Sequence, residues 1–144
     1  MTVAVILKHK GNQVETLRPN ATVQQTVGLL SAKRIGAAVV VGAQGEISGV
    51  VSERDVVNAL AQHGASAMSM PIDQFMTREV VTCTMTDSAH DLMEMMTRGR
   101  FRHVPVVEGG RLVGIVSIGD VVKRRIEDSD LERHAMREYI TQAG

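Results

Sequence analysis

Two spacings of apolar residues run through this chain, one helical and one extended, and their order occurs twice. Val23, Val27 and Leu30 fall on one stripe of a helix over Thr22 to Lys33, and Thr22-x-x-Gln25 supplies its capping-box signal. Ala37 to Val41 is a nearly unbroken apolar run, the pattern of a strand buried on both faces. Glu46 to Val51 follows after Gly42-Ala43-Gln44-Gly45, so the two runs read as a hairpin. A short strand at Val14 to Leu17 precedes them, and a helix from Ser52 to Gln62 closes the unit. The same order returns at Val80 to Cys83, Ser88 to Arg98, Arg102 to Val107, Arg111 to Val116 and from Ser117 onward, with Ser88-x-x-Asp91 as the matching cap.

The repetition extends to residue identity. Gly49-Val50-Val51-Ser52-Glu53-Arg54-Asp55-Val56-Val57 returns 65 residues later as Gly114-Ile115-Val116-Ser117-Ile118-Gly119-Asp120-Val121-Val122, identical at six of nine positions, so the second half copies the first. Upstream the match runs at a shift of 66, pairing Thr16 with Thr82 and Thr22 with Ser88; the one-residue change falls in the hairpin turn, where indels are tolerated. The boundaries expected are residues 1–63 for the first repeat, 64–71 for a linker of small and polar residues, 72–127 for the second repeat and 128–144 for a charged helical tail.

Composition narrows the function. Hydrophobic residues make up 44% and charged residues 22%, enough for a packed core, while aromatics are only 2%, so pocket walls are aliphatic and base stacking is disfavoured. Sixteen Lys plus Arg cancel sixteen Asp plus Glu, which argues against nucleic acid as the main partner. One cysteine, Cys83, makes neither an internal disulfide nor a zinc site by itself and fits a reducing compartment. Met1 to Leu7 is apolar and Lys8-His9-Lys10 follows, the reverse of a signal peptide, and no run reaches the roughly 20 apolar residues of a membrane span, so a cytoplasmic location is expected. No nucleophile with its base, no Gly-x-x-x-x-Gly-Lys and no Gly-x-Gly-x-x-Gly occurs, so the reading is not an enzyme. His90 and Glu94 have helical ligand spacing without a third ligand, so no metal is expected either.

The paired Gly-Val-Val-Ser-x-x-Asp and Gly-Ile-Val-Ser-x-x-Asp segments, with Arg102-His103-Val104-Pro105-Val106-Val107 ahead of the second, resemble the CBS domain family. The resemblance runs from about Val3 to Ile126 and looks most like the small stand-alone bacterial proteins with tandem repeats, or Bateman modules. It implies an α+β fold of two β-α-β-β-α repeats related by a pseudo-twofold axis, with two clefts for adenosine-containing ligands. In such modules the Asp of Ser-x-x-Asp holds the ribose hydroxyls and the Ser approaches phosphate, which points to Asp55 with Ser52 and Asp120 with Ser117. By the same resemblance Thr16 and Thr82 contact ligand from across the cleft. Arg102 and His103 hold the hairpin position from which basic residues reach phosphate, where the first repeat has Gly36, Ala37 and Ala38. The Asp120 cleft is therefore the expected first phosphate site, with Arg54 compensating in part beside Asp55. Pro105 has no counterpart in the first repeat, which has Val39.

Ser-x-x-Asp after a strand is equally a helix N-cap, and the arginines Arg98, Arg100 and Arg102 equally a solvated face. Two functions remain open at this point, with nucleic-acid binding by the arginine cluster a third that zero net charge weakens. One is a regulatory module binding AMP, ADP or ATP, or NAD as a larger dinucleotide, dimeric and signalling to an unidentified protein target. The other is an interaction scaffold whose Ser-x-x-Asp units only cap helices.

Overall fold

The computed structural model describes residues 1–143. Helix α1 (Val3–Lys10) leads into β1 (Thr16–Leu17), α2 (Val23–Lys33), β2 (Ala37–Val41), β3 (Ile47–Ser52) and α3 (Glu53–His63). Two 3-10 turns, Gly64–Ser69 and Ile72–Gln74, carry the chain to α4 (Ala89–Gly99), β4 (His103–Glu108), β5 (Arg111–Ser117) and α5 (Ile118–Ala143). The first sheet has the order β1-β2-β3, with β1 parallel and β3 antiparallel to β2; the second is the antiparallel pair β4-β5.

The elements form where the pattern placed them because local signals agree with tertiary packing. Thr22 and Ser88 both make full capping boxes, each accepting a backbone N–H from the third helical residue while that residue's side chain accepts the cap's own N–H. Both helices end on an arginine in the left-handed region, Arg34 at φ 54° and Arg100 at φ 57°. The hairpins slip register at the same place, Val40/Val41 and Val106/Val107. The Val80–Cys83 strand does not form. Only Cys83 meets a neighbour, Val106, its N–H bonding Pro105 O at 3.0 Å, and Val81 stays exposed.

Each repeat has its own core. Val23, Leu30, Ala38, Val40, Val51 and Val56 centre the first. Leu92, Val104, Val106, Val116 and Val121 centre the second, together with Val3, Ile6 and Leu7 of α1. The residues ahead of Gly11, grouped with the first repeat on sequence grounds, thus pack in the second. Their burial, at 0%, 2% and 1% exposure, is worth about 1.5–3 kcal/mol per side chain.

The reason is a symmetry of closing segments. Val23 N donates to Met70 O and Ile72 N to Ala21 O in the first repeat; Ala89 N donates to Met1 O and Val3 N to Asp87 O in the second. A Cβ on Gly49 would lie 2.6 Å from Met76 Sδ, and one on Gly114 would lie 2.7 Å from Leu7 Cδ1. The stretch expected as a linker, with Ala67, and the start of the segment expected in the second repeat, with Ile72 and Met76, therefore seal the first repeat, and α1 seals the second.

Along β2, Ala38 and Val40 enter the first core while Ala37 and Val39, also buried, lie on the opposite face by strand alternation. Just ahead of this strand the two repeats approach each other: a Cβ on Gly36 would meet the His103 ring at 3.3 Å. Beyond the module α5 continues with Leu131, Met136, Tyr139 and Ile140 more than 60% exposed, so the tail does not pack back on the repeats. No helix of the described residues is long and apolar enough to cross a membrane.

Candidate functional site

A cleft of about 610 Å³ opens between the repeats. Its floor on one side is the β3–α3 junction, with Ser52, Arg54 and Asp55, and on the other the α4–β4 connection, with Arg100, Phe101, Arg102 and His103. The Asp55 carboxylate accepts Ser52 N at 2.8 Å and Ser52 Oγ at 3.2 Å, both through Oδ2. The capping function is thus real, and it leaves the other carboxylate oxygen without a protein hydrogen bond among the described residues. Burial raises the Asp55 pKa above its ordinary value, against the opposing pull of the Ser52 hydrogen bonds and Arg54.

Opposite Asp55 stands a basic group from the second repeat. The left-handed turn at Arg100 ends α4 and brings Arg100 and Arg102 onto the cleft wall. Burial holds His103 below the ordinary histidine range, helped by the Lys10 and Arg102 charges and opposed by Asp120 and Glu53. At neutral pH this imidazole therefore acts as a neutral hydrogen-bonding group, and the cationic charge comes from the arginines.

The expected pairing of Arg102 with Asp120 is corrected, whereas His103 lies between the two sites and still feels the Asp120 charge. In the hairpin His103 is the register partner of Ser117, but the cleft it lines is the one holding Asp55, because the repeats face each other and the start of β4 lies against Gly36. Asp120 lies instead in a smaller pocket of about 380 Å³, walled by His9 and Lys10 of α1 and by Lys123 and Arg124 of α5. Its Oδ2 accepts Ser117 N at 2.8 Å and Lys10 Nζ at 2.7 Å. Burial pushes the Asp120 carboxyl upward, but the Lys10 and Ser117 bonds together hold it below its ordinary value.

Five of the expected residues, Ser52, Arg54, Asp55, Arg102 and His103, come together in one cleft. Thr16, Ala37, Thr82, Pro105 and Ser117 line neither cleft. Leu17 and Cys83 take the inward positions, so alternation turns Thr16 and Thr82 outward to exposed sites. Ala37 and Pro105 are buried within their sheets, and Ser117 is occupied as a cap, accepting Asp120 N at 3.1 Å. Of the arginine cluster, Arg98 stays outside the cleft. Sequence reasoning missed Thr77 and Glu79, which the connecting segment brings to the cleft, and Lys10 at the second Asp. The only prior signal for Lys10 was its place just after an apolar run.

The family profile of the CBS domain matches residues 10–62 and 72–127. A CBS-domain containing protein from Agrobacterium tumefaciens is 46% identical, superimposes with a TM-score of 0.85 and covers 87% of this chain and 99% of its own. A CBS domain protein from Pyrobaculum aerophilum, solved in complex with AMP, is 31% identical with a TM-score of 0.75 over 83% of this chain and 89% of its own. The CBS domain pair of protein MJ0100, solved with 5′-methylthioadenosine and S-adenosyl-L-methionine, is 25% identical with a TM-score of 0.79 over 89% of this chain and 98% of its own. With two profile matches in tandem, one closed by the segment that follows it and the other by α1, this chain belongs to the CBS domain family.

Proposed function

We propose that the chain is a non-enzymatic regulatory module that takes an adenosine-containing ligand, an AMP-like nucleotide foremost, into the Asp55 cleft. One observation carries this reading: a carboxylate with a free oxygen faces a pair of arginines across a cleft between two repeats. A vicinal diol donates two hydroxyl hydrogens to a carboxylate, and a phosphate accepts planar, charge-assisted bonds from guanidinium groups. A ribose 5′-phosphate carries both groups a few ångströms apart. The AMP complex of one similar protein and the 5′-methylthioadenosine and S-adenosyl-L-methionine complexes of another support the adenosine class. Arginine pairs on the phosphate side favour AMP, ADP, ATP or NAD over the uncharged thioether.

A ligand held by Asp55 of one repeat and Arg102 of the other binds best at one relative angle of the two, and so shifts their populations toward it. A protein target would sense that angle, and a homodimer formed through the helical faces in the cytoplasm is the proposed setting. Calorimetric titration tests the site. AMP is expected to bind the parent chain, with affinity lowered about 10–100-fold by Asp55→Ala, from the 1.5–3 kcal/mol of charge-assisted bonds. Arg102→Ala is expected to weaken AMP while leaving adenosine unaffected. Equal AMP binding by parent and both variants refutes the assignment. The exposed apolar residues of α5 favour, as a second reading, a docking role that needs no nucleotide.

A further inference from the structure

We propose that Lys10 closes the second cleft to nucleotide, so that each chain takes up one adenosine ligand, at Asp55, and none at Asp120. The inference rests on the proposed function, since it assumes that an Asp in this position holds a ribose diol.

The two clefts differ at one matched carbonyl. Val50 O in the first repeat accepts Thr77 N at 2.9 Å, a backbone bond that leaves Asp55 untouched. Ile115 O, at the same position of the second repeat, accepts Lys10 Nζ at 2.7 Å, and the same ammonium bonds Asp120 Oδ2 at 2.7 Å. The difference follows from the two closing segments. Beyond its 3-10 turn, which ends at Gln74, the connecting chain pairs with β3 through Thr77 and delivers Glu79 to the first cleft. After Leu7 the chain stays helical through Lys10, and a lysine reaches where a backbone amide sits in the other repeat. One cleft thus receives an acid that cannot pair with Asp55, and the other receives a cation that pairs with Asp120.

The lysine is well held. Gly11 N caps α1 on Leu7 O at 2.7 Å, and Val3, Ile6 and Leu7 root the helix in the core. The pair is partly exposed, with 31% and 23% of the Lys10 and Asp120 side chains open to solvent. A neutral diol would have to displace a full cation that bonds the carboxylate and Ile115 O together, an unfavourable exchange.

The test counts AMP bound per chain by calorimetry and native mass spectrometry, with thermal melts confirming folding. The parent is expected to bind one equivalent, Asp55→Ala none, Lys10→Met two, and Lys10→Met with Asp55→Ala one. Lys10→Gln, which keeps a donor for Ile115 O without a charge, is expected to gain the second equivalent as well. One equivalent in both the parent and the Lys10 variants overturns the inference alone, as do two equivalents in the parent. No AMP bound by any of these chains overturns the proposed function and the inference with it.

Discussion

Asp55 and Asp120 open their helices at matching positions, each accepting the N–H of the serine three residues before it, yet the protein treats the two carboxyls oppositely. Burial wins at Asp55 and raises its pKa; at Asp120 burial is outweighed by Lys10 and Ser117 and the pKa falls. What the two sites share comes from the repeated sequence, and what separates them comes from segments that are not repeated. The cap is a local matter of four residues. Its charge environment is set by whichever chain segment closes that repeat, α1 in one case and the Gly64–Met76 connection in the other.

The largest effect tests the closing segments. Leu7→Ala should cost about 2–5 kcal/mol in chemical denaturation, because it empties a fully buried site against Gly114. Met76→Ala, at a site 9% exposed, should cost less. A negligible loss for Leu7→Ala would mean that α1 does not complete the second core.

Next in size is the ion pair. Asp120→Asn should destabilise the chain by about 1 kcal/mol, the scale of a partly exposed pair, whereas Asp55→Asn should cost less because the carboxylate there has no cationic partner of its own at hydrogen-bond distance. Equal losses in melts of the two variants would erase the contrast between the clefts. The caps provide a control in which the repeats should agree: Thr22→Ala and Ser88→Ala should each cost about 1 kcal/mol, since both remove the same capping box.

The smallest effect is the pH response. The depressed Asp120 pKa contributes stability that is present above the ordinary carboxylate value of 3.8 and is lost as pH falls through the lower folded value. The raised Asp55 pKa has the opposite sign: ionising it costs stability near neutrality, and that cost is relieved as pH falls through the raised value. Carboxyl carbon NMR titrations should therefore place Asp55 above 3.8 and Asp120 below it. Lys10→Met should raise the Asp120 midpoint and leave Asp55 where it was. Coincident midpoints in the parent would refute the difference.

Much of the architecture was legible in the chain. Helical stripes, hairpin turns and paired caps are short-range signals, so α2, β2, β3 and α4 lie within a residue of where the spacing put them. Val80–Cys83 misled because an apolar pair suggests a strand only if a neighbour is there to receive it, and only Cys83 found one. The site was legible as residue types but only partly as pairs: Asp55, Arg102 and His103 were all singled out, but Arg102 was assigned to Asp120 and lines the Asp55 cleft, while His103 lines that cleft and also feels the Asp120 charge.

By itself, then, the sequence determined the repeat, which self-similarity shows without any contact, and the elements and two capped carboxylates, each of which depends on residues within a few positions of one another. Only the tertiary structure decided that α1 seals the second repeat, that Arg102 faces Asp55 across the cleft, and that Lys10 meets Asp120 from 110 positions away. No local periodicity encodes those meetings. They follow from which buried faces close on each other, and once Leu7 is fixed against Gly114 the lysine three residues on is committed to the second cleft.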